Sequence, residues 1–138
     1  MFEVRFAVRE YEIDSQGVVN HAIYVNYLEH ARSFFLRAHG FEYGRLVEQG
    51  LHLMVAHMSL DFREALRSGD EVVVRLSARR AGAKLHFHQQ ILRGADQRVC
   101  VTATTHIVCV QNGRVTRGDF FEHLIKDIEN KLAQETAE

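Results

Sequence analysis

One carboxylate in this chain stands where chemistry is possible. Asp14 lies three residues ahead of Gly17 and seven ahead of His21, inside the run Tyr11-Glu12-Ile13-Asp14-Ser15-Gln16-Gly17-Val18-Val19-Asn20-His21-Ala22-Ile23-Tyr24-Val25-Asn26-Tyr27. The run sets Asp14 in a tight turn just before an apolar helix. A helix start carries unpaired N–H groups and a partial positive charge. Such a place can hold a polarised carbonyl oxygen or an anion. A carboxylate beside it points to acyl transfer. The competing role for Asp14 is plainer, because Asp ahead of a Ser-x-Gly sequence is also a turn-forming signal.

Other reactive side chains form weaker patterns. Glu29 is eight residues past His21, close to the same helix face at about 3.6 residues per turn. It is a second candidate carboxylate, or a helix charge pairing with Arg32 or His30. Arg79, Arg80 and Lys84 flank Ala81-Gly82 and make the densest basic cluster, which on its own reads as a solvated hairpin end. Arg63 and Arg67 are weaker basic candidates. His86 and His88 share one strand face, a spacing metals use. His57 and His106 add no pattern, so all four read as half-exposed strand histidines. No G-x-S-x-G elbow, P-loop or dinucleotide fingerprint occurs, and the reading calls for no metal or cofactor.

The elements that must position Asp14 follow from periodicity. Phe2, Val4, Phe6 and Val8 alternate with Glu3, Arg5, Ala7 and Arg9, as in a half-buried strand. A helix is predicted from about Asn20 to His39, with Ile23, Tyr24, Tyr27, Leu28, Ala31, Phe34, Phe35 and Ala38 on a wide apolar face. Asn20 suits its N-cap and Gly40 its end. A short helical piece follows at 44–48, closed by Gly50. The period then becomes two. Met54, Ala56, Met58, Leu60 and Phe62 form one apolar face, and Val72, Val74, Leu76 and Ala78 the next. Leu85, Phe87, Gln89 and Ile91 follow, weakened by the glutamine, and then Val99, Val101, Ala103, Ile107 and Cys109. The turn sequences Arg67-Ser68-Gly69-Asp70, Ala81-Gly82 and Arg93-Gly94-Ala95-Asp96 are short, which implies an antiparallel meander. The tail is helical from Asp119 to about Leu132, with Phe121, Leu124, Ile125, Ile128 and Leu132 as its stripe.

Composition limits the function classes. The chain has 138 residues, which favours a single domain over 1–138. Apolar residues are 46% and the formal net charge is -1. That is enough for a core, with no electrostatic footprint for nucleic acid. No apolar run approaches the ~20 residues of a membrane span. The first residues lack an apolar signal core, so a cytoplasmic location is expected. Cys100 and Cys109 sit at an odd separation in one strand and face opposite sides, so a disulfide between them is not expected. Apolar strands without prolines need covering or pairing, which argues for a homo-oligomer.

The segment from Asp14 to Arg32, together with the element order, resembles the hotdog-fold acyl-CoA thioesterases. Within them it is most similar to the 4-hydroxybenzoyl-CoA and Tol-Pal-associated branch. That family's pattern is an Asp, two small or polar residues, Gly, two apolar residues, then an Asn/His/Pro-containing stretch ending in Tyr on the helix. Here it reads Asp14-Ser15-Gln16-Gly17-Val18-Val19-Asn20-His21-Ala22-Ile23-Tyr24. Many members carry a second Asp two positions before the first, where this chain has Glu12, and an aromatic near that pair, here Tyr11. The resemblance implies an α+β hotdog fold, an antiparallel sheet wrapped around one long central helix. It implies an acyl-CoA substrate, no cofactor, and assembly as a homodimer or homotetramer. It makes Asp14 the nucleophile or general base, Gly17 part of the catalytic turn, and the His21 backbone N–H the group that polarises the carbonyl. Tyr24 and Glu29 fall beside the substrate, although a sister branch places its catalytic Glu on this helix. Arg79, Arg80 and Lys84 fall where relatives hold the CoA nucleotide. A hotdog dehydratase or a non-catalytic acyl-CoA-binding protein would share the fold.

Overall fold

Asn20 and Gly40 bracket the long helix in the way their side chains dictate. Asn20 Oδ1 accepts the Ala22 N–H at 2.9 Å, and its carbonyl accepts the Ile23 N–H at 2.9 Å. That satisfies donors which the first turn of a helix leaves open. At the other end Gly40 adopts φ 83°, and the Phe41 N–H returns to the Leu36 carbonyl at 2.9 Å. This is a Schellman closure, which needs a residue free of Cβ strain. The helix between, α1, spans His21–Ala38, one residue inside the predicted limits at each end.

The protein, described by a computed structural model over residues 1–137, has the elements β1 (Phe2–Ala7), α1, α2 (Tyr43–Glu48), β2 (Leu51–Phe62), β3 (Glu71–Ala81), β4 (Lys84–Arg93), β5 (Arg98–Gln111), β6 (Arg114–Val115) and α3 (Asp119–Ala137). A single 3₁₀ turn at Glu10–Glu12 precedes the Asp14 loop. The strands form one sheet in the order β1-β3-β4-β5-β2, with β6 pairing with β5. β1 runs antiparallel to β3, with Val4 opposite Val74 and Phe6 opposite Val72. The architecture is α+β, the antiparallel sheet and long helix expected of a hotdog fold.

The chain forms two compact units. One comprises Met1–Phe35, Ser59–Ser77 and His88–Thr104. In it α1 buries Tyr24, Tyr27, Leu28, Ala31 and Phe35. Phe2 meets Phe35 edge-on at 5.5 Å, and Phe6 meets Tyr27 at 4.9 Å. β3 lies between β1 and β4, and its Val72, Val73 and Val74 are all buried, so both of its faces are covered here. Two departures come from polar residues. Arg32 and Gln89 are both buried, with Arg32 NH1 donating to Gln89 Oε1 at 3.0 Å and Gln89 Nε2 donating to the Leu28 carbonyl at 3.1 Å. The glutamine that weakened the β4 pattern therefore ties strand to helix. Phe34, placed on the apolar face by its spacing, is instead 43% exposed.

The other unit comprises Leu36–Met58, Ala78–Phe87 and Thr105–Glu138. Leu36, Leu46, Leu85, Phe87, Ile107, Phe121 and Leu124 are among its buried apolar residues. Phe41 packs edge-on to Phe120 at 5.0 Å. His39 Nδ1 lies 2.6 Å from Asp127 Oδ2, and Lys131 Nζ donates to the Ala38 carbonyl, so α3 caps the last turn of α1 here. Leu132, expected in the α3 stripe, is exposed. The predicted apolar face of β2 is only partly covered: Met58 and Leu60 are half-buried, whereas Met54 and Phe62 are each more than half exposed, Leu60 and Phe62 belonging to the first unit. His86 stacks on His106 at 3.8 Å and His57 tilts against His106 at 5.1 Å. Among the described residues no set of three or more His, Cys, Asp or Glu converges to hold a metal. Cys100 and Cys109 are free and buried, and burial pushes both thiols up.

Candidate active site

The Asp14 loop is closed at its base and tight at its tip. Ile13 and Val19 form an antiparallel bridge. Inside it the Asp14 N–H donates to the Val18 carbonyl at 2.8 Å, and the Gly17 N–H donates to the Asp14 carbonyl at 3.1 Å. Gly17 takes φ 79°, a backbone region that side chains rarely adopt. The Asp14 carboxylate shares in the turn: Oδ1 accepts the Gln16 N–H at 2.8 Å and the Val18 N–H at 3.4 Å. No hydrogen bond among the described residues uses Oδ2. Asp14 is thus both the turn former and a carboxylate with one oxygen to spare.

The loop delivers the chain directly to α1. Asn20 occupies the N-cap, and its bonds go to Ala22 and Ile23. The His21 N–H meets no acceptor among the described residues. It is an open donor at the positive end of the helix, while the His21 side chain is exposed.

Asp14 and His21 line one cleft of about 310 Å³ with Val18, Val19, Tyr24, Phe62, Arg63, Glu64 and Ala65. That volume suits a small acyl group or a short stem of a longer ligand. Val18, Val19 and Phe62 make an apolar wall. Tyr24 is buried, and its hydroxyl oxygen accepts the Leu66 N–H at 3.0 Å. Burial raises its pKa, so it remains a neutral phenol. The second carboxylate in the cleft, Glu64, is occupied on both oxygens. Arg98 donates to Oε1 at 2.8 Å and Arg93 to Oε2 at 2.9 Å. The hydrogen bond from Arg98, joined by Arg93, holds its carboxyl below the usual carboxylate range. Glu64 is therefore a fixed anion and a poor proton donor. The Arg63 guanidinium, at the exposed rim, enters no ion pair among the described residues.

Four of the residues singled out in the sequence meet here: Asp14, His21, Tyr24 and the weaker candidate Arg63 line the cleft, and Gly17 shapes its loop. Glu29 is exposed on α1, is not among the lining residues, and has no partner among the described residues. Arg79, Arg80 and Lys84 lie in the other unit. Arg79 and Lys84 are exposed. Arg80 is engaged, with Nε on the Gly82 carbonyl at 2.9 Å, NH2 on the Arg117 carbonyl at 3.0 Å and NH1 3.6 Å from Glu122. Sequence reasoning missed Phe62, Glu64 and Ala65 and ranked Arg63 low. Only the end of an alternating strand marked them, and their meeting with a turn some fifty residues earlier is a tertiary event.

A carboxylate with a free oxygen and a helix-start residue with an open N–H, both lining one cleft, are equipped to attack or hydrate a carbonyl. A family model described as the thioesterase-like superfamily matches residues 8–134. The chain is 36% identical over 112 residues to the chloroplast acyl-acyl carrier protein thioesterase ATL3 of Arabidopsis thaliana, covering 80% of this chain but 58% of that protein. It is 32% identical over 114 residues to the acyl-CoA thioesterase YbgC of Haemophilus influenzae, covering 80% and 82%. The crystal structure of a hypothetical protein from Aquifex aeolicus superposes with a TM-score of 0.84 at 26% identity, over 92% of this chain and 98% of that one. The chain belongs to the thioesterase-like superfamily and has its hotdog fold. No helix among the described residues is long and apolar enough to cross a membrane.

Proposed function

We propose that this protein hydrolyses acyl-CoA thioesters to the free acid and CoA, with Asp14 as nucleophile or general base. One observation carries the reading: Asp14, whose Oδ2 is unused, and His21, whose N–H is open, line the same cleft. The thioester carbonyl oxygen points at that N–H, which stabilises the charge developing on it. As nucleophile, Asp14 Oδ2 bonds to the carbonyl carbon, the C–S bond breaks, and the thiolate leaves and takes up a proton. Water then cleaves the mixed anhydride and restores the carboxylate. As base, Asp14 takes a proton from water that attacks directly. Gly17 holds the turn, Tyr24 walls the cleft, and Arg79 and Lys84, with Arg80, receive the phosphates of CoA.

The chain acts on this reading as one thioesterase domain, a view supported by a family match that runs from residue 8 to 134. It assembles as a homodimer or homotetramer and works in the cytoplasm. The exposed Met54 and Val55 on β2, the last strand of the sheet, support a pairing between copies. The likeness to ATL3 favours a second carrier, acyl carrier protein, which presents the same phosphopantetheine thioester.

The test is release of free thiol from aromatic, short and long acyl-CoAs and from acyl-carrier protein. Asp14→Asn should lower kcat by about 10²–10⁴-fold, because Asn is nearly isosteric but neither nucleophile nor base. Glu29→Gln should stay near the parent. The reverse pattern moves the chemistry to the helix. A parent with no hydrolysis of any thioester leaves a binding protein or a dehydratase.

A further inference from the structure

Glu12 is a carboxylate that this mechanism does not use, and it is almost inaccessible at 6% exposure. Burying an ion is costly unless its oxygens are satisfied. They are. Oε1 accepts the Tyr27 hydroxyl at 2.8 Å and the Arg9 N–H at 2.8 Å, and the Arg9 guanidinium lies 3.4 Å from Oε2. Tyr27 is itself buried, on the second turn of α1. Burial first, and the hydrogen bond to Glu12 second, push the Tyr27 phenol well up, so it stays a donor.

The main chain of Glu12 completes the link. Its carbonyl accepts the N–H of Asn20, the N-cap of α1, at 3.0 Å. Residue 12 therefore grips the helix twice, at its cap through the backbone and about two turns further on through the side chain. Between these grips hang the Ile13–Val19 bridge and the Asp14 turn. The second tyrosine works on the same loop from the other side: Tyr24 oxygen holds the Leu66 N–H, and the Leu66 carbonyl accepts the Val19 N–H at 2.9 Å.

We propose that Glu12 and Tyr27 form a positioning pair that fixes the Asp14 turn against the first turn of α1, and so sets the approach of the Asp14 carboxylate to a carbonyl held at the His21 N–H. The inference rests on the roles proposed above for Asp14 and His21. Neither Glu12 nor Tyr27 is among the residues lining the cleft, so both act through Asp14.

Tyr27→Phe removes one hydroxyl and keeps the ring. Glu12→Ala removes the acceptor, and Glu12→Gln keeps an oxygen that Tyr27 and the Arg9 N–H can reach. In thiol-release assays run well below each melting temperature, Tyr27→Phe and Glu12→Ala should each lower kcat roughly tenfold or more with KM within about twofold, the signature of a misplaced reacting group. The double variant should lose no more than the worse single, and Glu12→Gln should recover most of what Glu12→Ala loses. If Tyr27→Phe lowers the melting temperature but keeps the parent kcat, the pair is structural only and the proposal fails. A rise in KM at constant kcat also overturns it, because that is lost binding. Asp14→Asn is run beside them. If it is fully active, the reading of Asp14 falls; if it is inactive while Tyr27→Phe is normal, only the positioning pair falls. If Glu12→Ala does not fold, Tyr27→Phe alone decides.

Discussion

The Gly17 N–H donates to the Asp14 carbonyl at 3.1 Å, and Gly17 reaches that bond only at φ 79°. The space where its Cβ would sit is open, with no atom within 4 Å. The glycine is therefore needed for its backbone and not for room. Gly17→Ala should cost about 1–2 kcal/mol of strain, either as lost stability or as a relaxed turn. Because Asp14 Oδ1 is bonded within that turn, kcat should fall while the acyl-CoA KM holds. A melting curve and a steady-state assay measure the two effects. Parent values for both would mean that the turn conformation is not required.

Asn20 separates helix capping from the charge at the helix start. Asn20→Ala removes the acceptor for the Ala22 N–H and should cost about 1 kcal/mol. Asn20→Asp keeps a cap and places an anion at a positive helix end, so its thermal stability should match the parent. Activity should fall all the same, because the new charge opposes an oxyanion at the His21 N–H. Equal activity in Asn20→Asp and the parent would argue that no negative charge develops there.

Local chemistry was the legible part of this chain. Helix α1 was readable to within a residue at either end because Asn20 and Gly40 act on their immediate neighbours. The strands were readable because alternation is local too. β6 was not, since two residues carry no period, and the 3₁₀ turn at Glu10–Glu12 is equally short. Gln89 read as a weak point in an apolar strand face and Arg32 as a partner for Glu29, because a sequence shows each polar group without its partner. The candidate site split in the same way. Asp14, Gly17 and His21 lie within one short run, whereas Phe62 and Glu64 enter the cleft only once the sheet has formed. Met54 and Phe62 kept the pattern of a buried face and are exposed, which is what an edge strand awaiting a partner would show.

Glu64 should make stability depend on pH in a defined direction. Arg98 and Arg93 hold its folded pKa below the ordinary value of about 4.3. A depressed carboxylate pKa contributes stability that is complete above the unfolded value and is lost as pH falls through the folded value. Glu64→Gln should therefore melt below the parent at pH 7, and the two melting temperatures should converge as the pH drops below about 4. Kinetics should show Glu64→Gln retaining most of its kcat, since both oxygens already serve arginines. A gap that persists unchanged in acid would trace the loss to packing instead of charge.

The basic cluster gives a prediction in which its three members behave differently. Arg79 and Lys84 are exposed and have no partner among the described residues, while Arg80 is bonded to the carbonyls of Gly82 and Arg117. Charges that are free to meet a phosphate contribute binding without touching the fold. Arg79→Ala and Lys84→Ala should each raise the acyl-CoA KM several-fold at unchanged kcat and melting temperature, as loss of uniform binding does. Arg80→Ala should lower the melting temperature as well, because the carbonyls of Gly82 and Arg117 lose a donor. The KM effect should shrink as salt is raised from low ionic strength, where exposed charges are least screened. It should vanish with a short acyl thioester that lacks the nucleotide. If Arg79→Ala and Lys84→Ala leave KM unchanged at low salt, the cluster is a solvated hairpin end and the nucleotide binds elsewhere, with Arg63 at the cleft rim the next cation to replace.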